Sequence, residues 1–183
     1  GLLMKDKQWK PWSYPFWISK CFHNALPDNI FRIVLGKSIF NNLSHIYTDH
    51  NIFYIDQPRD KFKEANNILP ERNHNIFSYV GSFLKTKGAE TFLNAVDNFS
   101  SISLSKFWII GSNAADIEIK NNRVVVFGQE HTFLDEKKYD DLVSKSTYAC
   151  YPYPADSYRL TASGAVLDAI RFLKPIIFIK NDY

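Results

Sequence analysis

The chain has 183 residues, of which 45% are hydrophobic, 16% aromatic and 22% charged, and its formal net charge is +3. This balance is typical of a globular protein and excludes wholesale disorder, while so small a net charge gives no argument for a nucleic-acid partner. The two cysteines, Cys21 and Cys150, give neither a metal spacing nor a disulfide framework, so we expect reduced thiols. No apolar run reaches the roughly 20 residues that span a bilayer, and no secretory signal is expected, which favours a cytoplasmic protein.

The first segment of the chain is aromatic and broken by prolines. Residues 9–22 contain Trp9, Trp12 and Trp17, with Pro11 and Pro15 between them. These rings either pack on the protein core or contact the membrane interface, the layer that Trp and Tyr prefer. Because the chain begins on Gly, we expect a fragment of a longer protein.

The next elements predict a small strand–helix–strand unit and then a linker. Residues 30–35 and 51–55 are short apolar runs typical of buried strands, and an amphipathic helix over 39–47 separates them, with Ser38 as its expected cap. A polar, aperiodic stretch follows. We therefore divide the chain into residues 1–58, a linker at 59–75, and a larger domain at 76–183.

A second β-α series fills the larger domain. Strands are predicted at 76–80, 107–110, 124–127, 147–153 and 175–179, and helices at 89–99, 135–146 and 164–173. Continuous apolar strands that alternate with amphipathic helices predict an α/β fold with a doubly wound parallel sheet. In such sheets ligands bind beyond the carboxyl ends of the strands, where this sequence places Gly81, Gly111 and Gly128.

The loop from Gly81 to Gly88 is the first candidate site. It precedes a helix, whose N-terminal amides favour an anion, and it contains Lys85 and Lys87. Its glycine spacing fits neither a P-loop nor the dinucleotide fingerprint. A phosphate-binding loop and a solvated basic turn are the two interpretations.

The stretch from Pro152 to Asp168 is the second candidate site. Ser163 and Gly164 fall where a helix should begin, so Ser163 could cap it and Gly164 would leave its amides accessible to an anion. Asp168, one turn further, either accepts hydrogen bonds from a ribose or faces solvent. Arg159 either completes a phosphate clamp or lies on the surface. None of the five histidines forms a metal or nucleophile motif.

These motifs together resemble the nucleotide-binding half of B-type glycosyltransferases, the group-1 retaining family. Gly81-Ser82-Phe83, three residues and Lys87-Gly88 resemble the family's first donor loop. The apolar strands that end in Gly111 and Gly128 follow in the family's order. The segment from Asp168 to Ile177 resembles the family's Glu-Ala-Met-Ala helix with its closing Pro-Val-Ile. The likeness covers residues 76–180, and residues 32–58 look like the end of the acceptor-side domain.

Four departures mark a divergent member. Ser82 replaces the family's loop Arg, and Asp168 replaces its helix Glu. Leu160 stands where the paired carboxylate belongs, and Leu173 stands where a glycine precedes the closing proline. Arg159 is the candidate for the missing positive charge.

The resemblance implies a transferase that moves a sugar from a nucleotide diphosphate sugar. Its donor would be a UDP- or GDP-sugar bound without a metal, and its acceptor a glycan or a lipid-linked saccharide in polysaccharide biosynthesis at the inner face of the membrane. Lys87 and Arg159 would act in catalysis, and the donor would be bound by Gly81, Ser82, Gly88, Gly111, Ser163, Gly164 and Asp168. We expect the fragment alone to be inactive. The alternative is a non-catalytic Rossmann-like module for nucleotide binding or assembly, which the missing Arg and carboxylate favour.

Overall fold

The computed structural model describes residues 29–45, 51–57, 75–99, 105–112, 117–128, 132, 134–155 and 162–180. The chain divides into two compact units. Unit 1 is Gly1–Pro58 with Ser157–Ala162 and Asp182–Tyr183, and unit 2 is Arg59–Asp156 with Ser163–Asn181. The three tryptophans of the aromatic segment and Arg159 lie outside the described residues, as does the predicted linker apart from Asn75. The assignment of residues 1–58 to an acceptor-side domain stays a prediction.

Unit 1 contains the predicted strand–helix–strand. Strand β1 (Arg32–Leu35), helix α1 (Lys37–Ser44) and strand β2 (Ile52–Ile55) follow one another, and the two strands pair in parallel. Among its described residues, the buried core contains Val34, Ile39, Leu43 and Ile52. The prediction that Ser38 caps the helix is wrong, because the N-cap is Gly36 and Ser38 lies in the first turn.

Unit 1 also has an exposed apolar face. Because strand side chains alternate between faces, residues next to the buried ones in sequence point the other way. The large apolar residues on that side are 40–64% exposed, and they are Ile33, Leu35, Phe53 and Ile55.

Unit 2 contains a five-stranded, wholly parallel sheet. Its elements are β3 (Asn75–Val80), a 3-10 helix (Lys85–Lys87), α2 (Ala89–Asp97), β4 (Ser105–Ile110), β5 (Val124–Phe127), α3 (Glu136–Lys145), β6 (Tyr148–Tyr151), α4 (Gly164–Arg171) and β7 (Ile176–Phe178). The strand order is β5-β4-β3-β6-β7. The predicted sheet is therefore confirmed, with element bounds that differ by up to two residues from those read in the sequence.

Helices lie on both faces of this sheet. Tyr79 of β3 points to one face, where its ring packs against Phe92 of α2. The preceding residue, Ser78, points to the opposite face, and its hydroxyl lies 2.6 Å from the hydroxyl of Ser146, which ends α3. Tyr151 of β6 donates a hydrogen bond to the carbonyl oxygen of Ala165 in α4, on that same second face. The doubly wound arrangement is therefore confirmed.

Three glycines form a ladder at the carboxyl edge of the sheet. A Cβ on Gly128 would lie 2.0 Å from the carbonyl oxygen of Gly111, and a Cβ on Gly111 would lie 2.3 Å from that of Gly81. A Cβ on Gly81 would in turn lie 3.1 Å from the Cβ of Ala165. All three glycines have positive φ. Close packing of neighbouring strand ends thus explains these glycines without a ligand.

Helix α4 ends in a left-handed residue that is not glycine. Leu173 has φ 53°, its amide donates to the carbonyl of Ile170, and the amide of Lys174 donates to that of Ala169. These two bonds form a Schellman motif, in which glycine usually takes the left-handed position. The sequence resemblance placed a family glycine at this position, and the structure keeps the glycine conformation with a leucine.

Replacing Gly111 with Ala should lower the free energy of unfolding by about 3 kcal/mol or more, because the new Cβ meets a backbone carbonyl and φ is 140°. Gly164→Ala is the matched control, since no atom lies within 4 Å of its Cβ position. That control should change the free energy by less than about 1 kcal/mol. Urea unfolding measures both, and equal effects would contradict the ladder.

Leu173→Gly should raise the free energy of unfolding by up to about 1 kcal/mol. Left-handed backbone costs an L-residue about 1–2 kcal/mol, part of which the extra flexibility of glycine in the unfolded chain offsets. The side chain is 64% exposed, so little packing is lost. Leu173→Ala keeps the strain and should give no gain. A destabilised glycine variant would show that the leucine side chain matters more than its backbone.

Candidate functional site

The order of the strands locates a crevice at the carboxyl edge of unit 2. The chain runs outward from β3 to β4 and β5, and then returns to the other side of β3 with β6 and β7. Strand order reverses between β3 and β6, and ligands of open α/β sheets bind at such a switch point. The loops that follow these two strands, residues 81–88 and 152–163, are the two that the sequence singled out.

Contacts from the protein itself fix the β3–α2 loop, residues 81–88. The buried hydroxyl of Tyr79 donates to the carbonyl oxygen of Lys87 at 2.9 Å. Gly88, with φ 81°, packs so closely on the β6–α4 loop that a Cβ would lie 1.8 Å from the carbonyl oxygen of Pro152. The two loops at the switch point therefore touch through their backbones.

The two lysines of this loop have different surroundings. The ammonium of Lys85 lies 3.4 Å from Glu90, in an exposed ion pair. Lys87 is half-buried, and within the described part of the chain its ammonium forms no ion pair. Lys87 is therefore the better candidate for binding an anion, since Lys85 is already partly neutralised.

Helix α4 begins at the same crevice. Ser163 occupies the predicted N-cap position and is buried, but its hydroxyl lies 3.1 Å from that of Tyr153 and forms no cap bond to the helix amides. Gly164 is exposed and has open space beside its Cα. Because Ala165 packs against Gly81, this helix start is adjacent to the beginning of the β3–α2 loop.

Asp168 lies one turn further along α4 and is half-buried. The hydroxyl of Tyr139, from the first turn of α3, donates to its carboxylate at 2.8 Å. Burial, reinforced by the negative charge of Asp168, raises the pKa of Tyr139 well above its ordinary value. The tyrosine therefore stays a protonated donor. Of the two interpretations of Asp168, the purely solvent-facing one does not hold, and the contact with a ribose stays a prediction.

An ion pair holds α3 against α4. The guanidinium of Arg171 lies 3.3 Å from the carboxylate of Asp140, and both side chains are only 13–14% exposed. The ammonium of Lys174 donates to the carbonyl oxygen of Ser144, near the end of α3, and burial lowers the pKa of that lysine. These contacts set the position of the helix that carries Ser163, Gly164 and Asp168.

Three tyrosines near these residues were not among the site residues expected from the sequence. The hydroxyl of Tyr153 meets Ser163, that of Tyr151 donates to the carbonyl of Ala165, and that of Tyr139 donates to Asp168. All three hydroxyls thus hold the first turns of α4. No local signal in the sequence identifies the partner of a tyrosine hydroxyl.

The structure places the predicted site residues in one region, apart from Arg159. Residues of the two switch-point loops and of α4 supply Gly81, Ser82, Lys87, Gly88, Ser163, Gly164 and Asp168, and Gly111 ends the neighbouring strand β4. Arg159 falls outside the described residues. Whether these residues bind a ligand stays a prediction.

A separate apolar groove lies on the α2 face of the sheet. It has a volume of about 320 Å³ and runs from Phe77 and Phe99 to Pro152 and Ile179. Cys150 lines it, and burial raises the pKa of this thiol to about 12. The described residues that line the groove carry no charge, so they do not suit a diphosphate.

The described residues offer neither a metal-binding cluster nor a membrane-spanning helix. They contain no group of three or more His, Cys, Asp or Glu side chains that could hold a metal ion. None of their helices has the length and apolar character needed to cross a bilayer.

Comparisons with known proteins bear on the fold. No family model matches the chain, and no curated protein matches it. Among solved structures it is similar to a mutant of Staphylococcus aureus TarM in complex with fondaparinux, α-GlcNAc-glycerol and UDP, with a TM-score of 0.60, and to a second TarM structure, with a TM-score of 0.59. Identity is 14% in both, and the match covers 82% of this chain but 30% of TarM. The chain thus has a glycosyltransferase-like fold and spans about 30% of its neighbours' length.

Asp140→Asn should lower the free energy of unfolding by about 3 kcal/mol, because it removes one charge from a largely buried ion pair with Arg171. The adjacent Asp141→Asn removes the same charge from an exposed pair with Lys145 and should cost less than about 0.5 kcal/mol. Urea unfolding of both variants checks this. Similar small losses would show that the ion pair does not hold α3 and α4 together.

Proposed function

We propose that this chain is the donor-binding part of a glycosyltransferase, which transfers a sugar from a nucleoside diphosphate sugar. The observation that carries the proposal is the switch point between β3 and β6. The two loops there touch, and Lys87 belongs to one of them while the start of α4 follows the other. The similarity in fold to TarM, which was solved with UDP, supports the same class of ligand.

The crevice offers an anion two kinds of stabilisation. Amides at the start of α4 point along a helix dipole whose positive end faces the crevice, and Gly164 leaves room for a phosphate to approach them. Lys87 adds a full positive charge from the facing loop. A diphosphate bridging the two elements would be held without a metal.

The same groups would assist the transfer step. As the bond from the sugar to the diphosphate breaks, negative charge grows on the leaving phosphate oxygen. Fixed charges and dipoles aimed at that oxygen stabilise the transition state more than the ground state. Lys87 is the main candidate for this role, and Arg159 from the β6–α4 loop is proposed as the second cation.

The nucleoside would lie along α4. Asp168 presents a half-buried carboxylate one turn from the helix start, where ribose hydroxyls could donate to it. We propose UDP or GDP as the nucleotide carrier, a glycan or lipid-linked saccharide as acceptor, and a retaining outcome. We also propose a cytoplasmic enzyme that contacts the inner face of the membrane.

A non-catalytic nucleotide-binding or assembly module is the second candidate. Ser82 leaves the β3–α2 loop one cation short of the family pattern, and Leu160 removes the paired carboxylate. The pairing of Lys85 with Glu90 weakens the remaining charge further. Such a module would lack transfer activity even within a longer chain.

Lys87→Ala in the full-length protein should weaken binding of UDP or GDP by about 1.5–3 kcal/mol, which is the usual contribution of a hydrogen bond to a charged group. It should also slow sugar transfer. Lys106→Ala is the matched control, because it removes the same charge from an exposed residue near the amino end of β4. Isothermal titration and a transfer assay provide the measurements.

The outcomes separate the two candidates. Tight nucleotide binding without transfer favours the module. Binding that Lys87→Ala and Lys106→Ala weaken equally would reflect general charge and would remove Lys87 from the site. Absence of nucleotide binding by the full-length protein would overturn the transferase and leave an assembly module.

A further inference from the structure

We infer that Tyr139 is a positioning residue that holds the Asp168 carboxylate in place for the ribose of the bound nucleotide. The inference rests on the proposed function and extends it to a residue that contacts no ligand itself. It starts from the 2.8 Å hydrogen bond that the Tyr139 hydroxyl donates to Asp168 between helices α3 and α4.

A carboxylate such as that of Asp168 can accept more than one hydrogen bond. An ionised carboxylate accepts hydrogen bonds at two oxygens, with about four lone-pair positions. The Tyr139 hydroxyl donates to one oxygen, Oδ2, so its bond is compatible with a further donor such as a ribose hydroxyl. Tyrosine and ribose would be complementary rather than competing partners.

The hydroxyl of Tyr139 keeps its proton and so remains a hydrogen-bond donor. Tyr139 is largely buried, and its neighbours include the carboxylates of Asp168 and Asp140, all of which disfavour loss of its proton. Asp168 thus faces a hydroxyl whose raised pKa keeps it a donor at neutral pH. A lysine at this position would instead neutralise the carboxylate.

Further contacts hold the two helices that carry Tyr139 and Asp168. Tyr151 and Tyr153 hold Ala165 and Ser163 of the same helix start, and the Asp140–Arg171 pair holds α3 to α4. Tyr139 therefore donates from a fixed helix to a fixed helix. A binding group supported in this way loses little conformational entropy when the ligand arrives.

The side chain of Asp168 is shorter than the glutamate found at this position in the resembling family. Aspartate has one methylene less than the glutamate of the resembling family, so it reaches less far from α4 and has fewer rotamers with which to find a ribose. A bond that selects one rotamer matters more for such a group. The paired carboxylate is also absent, since Leu160 takes its place.

The test compares two ligands on the full chain. Binding of UDP and GDP is measured first, and the tighter of the two is paired with its 2′,3′-dideoxy analogue, which lacks the ribose hydroxyls. The ratio of the two dissociation constants reports the contact with those hydroxyls. Tyr139→Phe should reduce that ratio about two- to tenfold, as loss of one typical hydrogen bond predicts. Asp168→Ala should abolish the preference.

Three comparisons make the readout specific. In the Asp168→Ala background, Tyr139→Phe should have no further effect on the ratio, because it acts through the carboxylate. Tyr148→Phe removes a hydroxyl from the ring stacked on Phe77 and should leave the ratio unchanged. A purely structural loss in Tyr139→Phe would lower the free energy of unfolding and weaken both ligands equally.

Each remaining outcome overturns the inference. If Asp168→Ala lowers the ratio and Tyr139→Phe does not, Tyr139 is not a positioning residue. If neither variant changes the ratio while the nucleotide still binds, Asp168 does not contact the ribose, and the proposed function stands without it. If neither nucleotide binds, the inference and the proposed function both fail.

Discussion

Close packing of strand ends is the constraint on which the larger unit depends. At the carboxyl edge, the carbonyl oxygen of each neighbouring glycine fills the space that a Cβ of the next would need, from Gly128 through Gly111 to Gly81. Gly81 then meets Ala165, which places the start of α4 beside the β3–α2 loop. Small residues along one line therefore determine how near the two loops of the switch point approach each other.

Hydrogen bonds from tyrosines complete what the small residues begin. Aromatic rings fill the space between sheet and helices, and their hydroxyls reach polar groups on α4 and on the β3–α2 loop. A buried tyrosine combines a large apolar surface with one hydrogen bond, so it packs a core and orients a site at once. This explains how a site with few charged residues of its own can still be well ordered.

The departures from the resembling family are local and differ in cost. Leu173 keeps the left-handed conformation of a glycine, so the fold is preserved at the expense of about 1–2 kcal/mol of backbone strain. Ser82 and Leu160 differ from the family residues in charge, and their effect on ligand binding stays a prediction. The fold therefore persists at 14% identity to TarM.

The sequence by itself determined the order of strands and helices, the parallel sheet and the positions of the loops, because apolar period and glycine punctuation are local signals. It placed Gly81, Gly111 and Gly128 at one edge for the same reason. It misplaced the cap of α1. Ser38 was expected at the N-cap, but Gly36 takes that position directly after β1, which pairs with β2. Strand order, the contact of Gly88 with Pro152 and the partners of Tyr139, Tyr151 and Tyr153 were decided by the tertiary structure. These contacts join residues that are distant in sequence, and the geometry of a side-chain hydroxyl leaves no periodic trace along the chain.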